Sequence, residues 1–436
     1  MELITQAPRG TQDILPSDSH KWQHIEQTAL SVARDFGFHE IRTPVFEHTN
    51  LFLRSVGETT DVVQKEMYTF EDKGGRSVTL RPEGTAGAAR ALLEHGLHNG
   101  ALPLKASYIT SCYRYEKAQK GRLREFHQFG VECFGAAAPQ ADAEVIALAH
   151  TLLETLNVKG VTLRINSIGC PTCRARYHEA LTAYFSAREE ELCETCRDRL
   201  SRNPMRILDC KSPVCAEIAK GAPVMVDFLC DDCRAHFESV KELLTAAELP
   251  FTLDPHIVRG LDYYTRTVFE FVSENGLTVC GGGRYDGLIE ELGGPHLPCL
   301  GFGMGLERLL MIMEAQNAHF PEPQTCEVYL APMGAAAAKR CFAIATKLRE
   351  GGVAVETDIA GRGLKAQMKY ADKRGARYAI VVGDDELASG VAALRDMKTG
   401  ETEDIQLDDS LYTTLYNKAL DRQLAGMADL FGSVAE

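Results

Sequence analysis

The run RGLDYYTRTVFEFV, Arg259 to Val272, limits the possible folds most. Thr267, Phe269 and Phe271 alternate with Val268, Glu270 and Val272, the period of two that marks a β-strand packed on both faces. Its amino-terminal end is different in kind: two arginines, an acid and two adjacent tyrosines surround one Gly-Leu-Asp turn. Such a set can grip an anion and a flat ligand at the mouth of a buried sheet. The alternative is structural, with Arg259 and Arg266 as ordinary ion-pair partners of Asp262 and Glu270.

Further strand-like runs follow one another without regular helices between them: Val78 to Arg81, Tyr108 to Glu116, Phe126 to Phe134 and Thr162 to Ile168. This predicts an α+β catalytic core built on an antiparallel sheet. Ahead of it, Trp22, Ile25, Ala29, Val32 and Phe36 recur at helical steps from His20 to Phe36, ended by Gly37. The following FHEIRTPVFEHTNLF reads as extended, with Pro44 suited to an edge or interface strand.

Two breaks divide the chain. Eight of the fourteen cysteines fall between Cys170 and Cys233, as the pairs Cys170/Cys173, Cys193/Cys196, Cys210/Cys215 and Cys230/Cys233. Clustering of this kind points to structural Zn2+ in closed four-thiolate sites rather than to disulfides. Eight sulfurs allow one site or two, and reduced thiols without metal are the alternative. The second break is NAHFPEPQT, residues 317 to 325, after which strand-like and helix-like segments alternate: Val328 to Ala331, Ala335 to Glu350, Val353 to Thr357, Leu364 to Arg374 and Tyr378 to Val382. That is the pattern of a separate α/β domain with a largely parallel sheet. The expected division is residues 1–168 and 238–320 for the core, 169–237 for a small inserted domain and 326–436 for a carboxyl-terminal α/β domain.

A chain of 436 residues exceeds what one core organises. The net charge of −14 argues against a general nucleic-acid coat, though a local basic surface can still bind phosphates. No apolar run has signal-peptide or membrane-spanning character, so a cytoplasmic location is expected.

In YITSCYRYEKAQKGRLREFHQFGVE, strand parity places Tyr108, Thr110, Cys112, Arg114 and Glu116 on one face, and Phe126, Gln128, Gly130 and Glu132 on one face of the returning strand. Lys117, Lys120, Arg122 and Arg124 make the connecting loop basic, which suits a polyphosphate; a solvated charged hairpin is the alternative. GFGMGLERLLMIMEA, Gly301 to Ala315, starts with alternating glycines and runs into a helix former with Arg308 in its first turns. Arg114, Arg259 and Arg308 thus offer three cations without a Walker loop, as stabilisation of a reacting α-phosphate and a leaving pyrophosphate requires. Lys365, Lys369 and Lys373 share a helix face near Arg362, a phosphate-contacting stripe or a solvated one.

With these segments in view the chain resembles the class II aminoacyl-tRNA synthetases, and among them the histidyl-tRNA synthetase family, over nearly its whole length. The resemblance rests on RGTQDILP, on FGFHEIRTPVFEHTNLF as the dimer-forming first motif, on the Tyr108 to Glu132 hairpin, on GFGMGLERL, and on the histidine-specific RGLDYYTRTVFEF and CGGGRYDGLIEELGG. Ala118 stands where a proline is common in the hairpin loop, and many relatives lack the eight clustered thiols, so zinc does not follow from the family. The resemblance implies ATP as substrate with Mg2+, L-histidine, tRNA(His), a homodimer, and an anticodon-binding carboxyl-terminal domain. It further implies Glu83 and Thr85 on the substrate ammonium, Arg114 and Gln128 at the carboxylate and α-phosphate, Glu132, Tyr263 and Tyr264 around the imidazole, and Phe126 stacked on adenine opposite Arg308. Glu116 and Arg122 would address the nucleotide, Arg259 the α-phosphate as a catalytic residue with Arg114, and Arg362, Lys365, Lys369 and Lys373 the tRNA. Two other readings remain: a non-enzymatic regulatory relative that has lost catalytic side chains, against which Arg259, Arg308 and Glu83 speak, and a zinc-dependent RNA-binding module, which leaves the arginine-surrounded segments without a role.

Overall fold

Along Glu125–Phe134 the side chains divide by parity. Phe129, Val131 and Cys133 enter the largest apolar core, whereas Gln128, Gly130, Glu132 and Phe134 fall on the other face. This division organises a computed structural model of two compact units, Met1–Pro321 and Glu322–Glu436. The structure describes residues 6–57, 60, 62–117, 119, 121–208, 210, 212–255, 257, 263–321 and 326–432, with side chains as far as residue 421.

In the first unit the strands are β1 (His39–Glu40), β2 (Phe46–His48), β3 (Tyr68–Glu71), β4 (Ser77–Leu80), β5 (Leu104–Tyr113), β6 (Glu125–Phe134), β7 (Val161–Ser167), β8 (Phe251–Leu253), β9 (Thr265–Ser273), β10 (Thr278–Arg284) and β11 (Cys299–Gly305). Eight of them form one sheet in the order β1-β5-β6-β11-β10-β9-β7-β8, and β2-β4-β3 form a small second sheet. The six central strands pair antiparallel, as expected, while the short edge pairs β1/β5 and β7/β8 are parallel. The hairpin strand is displaced from its sequence reading: β5 begins at Leu104 and stops at Tyr113, so Arg114 and Glu116 lie beyond it in a turn and strand parity does not orient them.

One face of the sheet carries the apolar helices. Trp22, Ile25, Ala29 and Val32 of helix Ser19–Asp35, Val145, Leu148 and Leu152 of Pro139–Thr155, and Leu306, Leu309 and Met313 of Leu306–Ala315 are buried there against Phe269, Phe271 and Phe302. The cysteine-bearing segment has an apolar core of its own, formed by Tyr177, Leu181, Phe185, Leu200 and Ile207 with the thiols. Helix Asp231–Ala246 joins the two cores, giving Cys233 to the cysteine-bearing one and Phe237, Val240 and Leu244 to the sheet.

The second unit has β12 (Val328–Pro332), β13 (Val355–Thr357), β14 (Tyr378–Val382), β15 (Val391–Asp396) and β16 (Thr402–Gln406), in the order β13-β12-β14-β15-β16. The first three are parallel and connected by helices Ala335–Glu350 and Leu364–Lys373, while β15 and β16 add an antiparallel hairpin. Among the described residues no helix is long and apolar enough to cross a membrane.

A buried ion network ties β10 to helix Pro139–Thr155. Arg284 and Asp142 are each 1 % exposed. Arg284 donates through Nε and Nη2 to Asp142 at 2.6 to 3.0 Å and through Nη1 and Nη2 to the carbonyls of Ala136 and Ala138. Although burial opposes ionisation of Asp142, His236 and Arg284 hold its carboxyl below the usual carboxylate range. Removing the negative partner strands a desolvated guanidinium, so Asp142→Asn is expected to destabilise the first unit by about 3 kcal/mol, read as a lower urea midpoint at unchanged slope.

Candidate active site

Glu132 is the centre of the face opposite the helices. Its side chain is wholly buried, and both oxygens are engaged: Tyr108 Oη donates to Oε1 at 2.8 Å and Tyr285 Oη donates to Oε2. Burial dominates its ionisation and pushes the carboxyl up to about 8 against the opposing pull of Tyr285, Thr85 and Tyr108. The group is therefore a mostly protonated acid at neutral pH, held in a slot walled by tyrosines. Tyr263 and Tyr264 complete the walls, with ring centroids 4.7 Å apart and Tyr263 lying 5.4 Å from Tyr285.

Space for this acid comes from β11. Its residues Leu300, Phe302 and Met304 enter the helix-side core, so Gly301, Gly303 and Gly305 all fall on the Glu132 face. A Cβ at Gly301 would lie 2.1 Å from Glu132 Oε2, and one at Gly303 would lie 2.2 Å from Gln128 Nε2. The alternating glycines are thus strand residues, and the side chains that approach Gly301 and Gly303 come from the neighbouring β6.

Glu83 and Thr85 adjoin the slot at the start of helix Thr85–Glu94. The Glu83 carboxylate accepts from the backbone N–H groups of Thr85 (2.7 Å) and Ala86 (2.8 Å), while burial raises its pKa. The Thr85 hydroxyl interacts with Glu83, Glu132, Tyr108 and Tyr263. Gln128 Oε1 accepts from Gly84 N at 3.0 Å, leaving its amide nitrogen turned toward Gly303.

Cations border the other end. Arg114 donates from Nε to Pro82 O at 2.9 Å, and its guanidinium lies 5.4 Å from the centre of the Phe126 ring. Arg308 is held by the carbonyls of Gly121 (2.9 Å) and Thr278 (2.7 Å). Burial, then repulsion from Arg122 and Arg114, lowers the Arg308 pKa despite Glu116 and Glu270. Cations that repel one another in this way suit a polyanion. Arg122 also pairs with Glu116 at 3.1 Å. Arg124, by contrast, lies over the Tyr115 ring and donates to Glu116 O, so it is a structural strut of the loop. Helix Leu306–Ala315 is locked to β6 because Glu307 accepts from His127 N at 2.8 Å.

The structure brings together Glu83, Thr85, Gln128, Glu132, Tyr263 and Tyr264 in one polar region, and Arg114, Glu116, Arg122, Phe126 and Arg308 in the adjoining one. Arg259 and Asp262 lie outside the described residues, as do Ala118 and Lys120. Arg266 Nε lies 3.8 Å from Asp286 Oδ2. Tyr108 and Tyr285, the partners of Glu132, went unassigned in the sequence because nothing in their spacing shows that their hydroxyls converge. In the second unit Lys365, Lys369 and Lys373 are exposed on helix Leu364–Lys373, whereas Arg362 is bound to Asp358 at 3.0 Å and covers the Tyr370 ring.

The cysteines resolve into two clusters. Cys170, Cys173, Cys230 and Cys233 form one, and Cys193, Cys196, Cys210 and Cys215 the other; within each, all Sγ atoms lie within 4.8 Å of one another. All fourteen cysteines are free thiols. Tetrahedral zinc with bonds of about 2.3 Å needs sulfurs about 3.8 Å apart. Cys170 and Cys173 are separated by 3.5 Å and Cys193 and Cys210 by 3.9 Å, so the donor sets fit.

Comparison with known proteins agrees with this geometry. A family model described as histidyl-tRNA synthetase matches residues 10–199 and 216–309, and one described as anticodon binding domain matches 327–413. A histidine--tRNA ligase of Acetivibrio thermocellus is 54 % identical over 409 residues, covering 93 % of this chain and 98 % of its own length. One from Clostridium perfringens is 52 % identical with the same coverage. The apo histidyl-tRNA synthetase of S. aureus superimposes with a TM-score of 0.81 at 39 % identity, over 95 % of this chain and all of its own. A Bacillus halodurans structure described as an ATP phosphoribosyltransferase regulatory subunit/histidyl-tRNA synthetase shares the fold, with a TM-score of 0.64 at 24 % identity, over 88 % of this chain and 99 % of its own. By its matched sequence and its fold, this chain belongs to the histidyl-tRNA synthetase family.

Proposed function

We propose an assignment of residues to the family reaction. That reaction joins L-histidine and ATP: a histidine carboxylate oxygen attacks the α-phosphorus, the bond to the bridging oxygen breaks, and pyrophosphate leaves. The 3′-terminal ribose hydroxyl of tRNA(His) then attacks the histidyl carbonyl and displaces AMP.

In our reading Glu132 and the tyrosines Tyr263 and Tyr264 take the imidazole, whose two ring nitrogens require a donor and an acceptor. Glu83 and Thr85 take the ammonium. Gln128 and Arg114 take the carboxylate and α-phosphate, Phe126 and Arg308 the adenine, and Glu116 and Arg122 the phosphates with their Mg2+. Arg259 is assigned to the α-phosphate, where its charge would grow in worth as the reaction centre gains negative charge. The observation that carries this reading is a buried acid ringed by tyrosines in a region that adjoins Arg114, Arg122 and Arg308. Residues 1–168 and 238–320 would form the catalytic domain, 169–237 an insertion and 326–436 the anticodon-binding domain, with Arg362, Lys365, Lys369 and Lys373 toward the tRNA. A homodimer in the cytoplasm completes the proposal, with a structural Zn2+ in each four-cysteine cluster.

Pyrophosphate exchange into ATP, tested with each amino acid singly, is expected with histidine only. Exchange should fall at least about 100-fold in Arg259→Ala, a loss on the scale of one transition-state donor; wild-type exchange in that variant rejects the role. A slot built for two ring nitrogens should discriminate strongly against amino acids lacking them, since they leave buried polar groups unpaired.

Glu132 supplies a second expectation. Its carboxyl sits at about 8 in the fold against an ordinary value of 4.5, so the folded state holds the proton more tightly than the unfolded one. The associated stability is complete below about 4.5 and is lost as pH rises through about 8, amounting to a few kcal/mol. Glu132→Gln removes the titration, so thermal midpoints of the variant relative to the parent should climb from pH 5 to pH 8. A pH-independent difference would show that Glu132 does not carry this proton.

A further inference from the structure

The cluster of Cys170, Cys173, Cys230 and Cys233 lies next to the strand that delivers the tyrosines of the slot. β7 ends at Ser167, and the chain reaches the first thiol through Ile168 and Gly169. These two residues hold the start of β9: Ile168 N donates to Arg266 O at 2.7 Å, and Arg266 N donates to Gly169 O at 2.9 Å. Gly169 is left-handed (φ +63°), and a Cβ there would meet Cys173 Cβ at 2.5 Å and Met225 Cε at 2.6 Å. Only glycine lets the knuckle close this tightly on the sheet.

Arg266 is itself left-handed, with φ 49°, a conformation that a branched or long side chain adopts only when its surroundings impose it. Its Nε is 3.8 Å from Asp286. The most direct link is Arg174, one residue past Cys173 in the first turn of helix Pro171–Ser186. Its Nη1 donates to the carbonyl of Tyr264 at 3.2 Å, and its backbone N–H donates to Cys170 O at 2.9 Å. Tyr264 in turn packs on Tyr263, Tyr263 on Tyr285, and Tyr285 donates to Glu132. In the other cluster, among the described residues, Cys193 N donates to Cys215 Sγ at 3.3 Å and Ser212 N to Cys210 Sγ at 3.4 Å, bonds that stay within its own segment.

We infer that the Zn2+ held by Cys170, Cys173, Cys230 and Cys233 braces the imidazole slot, with Arg174 as the positioning residue that carries the fixed geometry of the knuckle to Tyr264. This rests on the proposed assignment of the slot to histidine and of zinc to the clusters. Binding exchanges the thiol protons for the metal and releases them to water, with no change of oxidation state; it fixes the first turn of the helix, and thereby the guanidinium on it. Groups behind a binding residue typically change affinity by about 10-fold to 100-fold when removed.

The test uses the full-length protein and reads zinc per chain together with separate Michaelis constants for histidine and ATP in pyrophosphate exchange. The parent should carry two zinc ions. Arg174→Gln should keep both, raise the histidine KM about tenfold, and leave kcat and the ATP KM within about twofold. Arg174→Lys, which retains one charged donor, should recover part of the loss. Cys170→Ser with Cys173→Ser should drop to one zinc and raise the histidine KM at least as far; if that chain does not fold, the Arg174 pair decides alone. An unchanged histidine KM in Arg174→Gln, or equal rises for histidine and ATP, overturns the inference. A parent without zinc overturns it too, yet leaves histidine activation standing, because histidine-only exchange judges that reading separately.

Discussion

Burial of one carboxyl group shapes the whole catalytic face. Glu132 is surrounded by protein on every side, and moving an ionised carboxylate into such a place is costly, so the group keeps its proton near neutrality and needs a partner for each oxygen. Tyr108 from β5 and Tyr285 just beyond β10 supply those partners. The glycines of β11 supply the room, since any larger side chain at Gly301 would collide with the acid. Three segments are thereby bound to one another's sequence: a tyrosine on β5, a tyrosine just past β10, and no side chain at Gly301 of β11.

The same sheet separates packing from chemistry. Every second residue of β6 and β11 goes to the helix-side core, where Phe129, Val131, Leu300, Phe302 and Met304 are almost fully enclosed. The opposite face holds the polar groups of the slot. Arg308 shows the cost, because burial first, and then its neighbours Arg122 and Arg114, lower its pKa.

The two four-thiolate clusters occupy different mechanical positions. One adjoins the end of β7 and the entry to β9, and the other is confined to the helical segment around Leu192 to Cys215. A small apolar core with Tyr177, Phe185 and Ile207 surrounds both. Metal clips are a common supplement to small apolar cores.

Much of this was legible in the sequence because period-two alternation and clustered motif residues are local properties. The strands β6, β7 and β9, the parallel start of the second unit, and the shared face of Gln128 and Glu132 follow from short-range pattern, whereas Glu83 and Thr85 entered only through the family resemblance. What was not legible depends on register between distant segments. That Gly301 faces Glu132, that Tyr108 and Tyr285 share one acid, and that Cys170 pairs with Cys230 and not Cys193 are matters of which strand lies beside which. The strand end at Tyr113 and the antiparallel hairpin β15–β16 escaped for the same reason, since hydrogen-bond partners, not side-chain type, set them. Sequence alone determined the residue types and the face each occupies along its own strand; tertiary structure decided the pairings, because burial cost and sulfur geometry act only once separate parts of the chain have met.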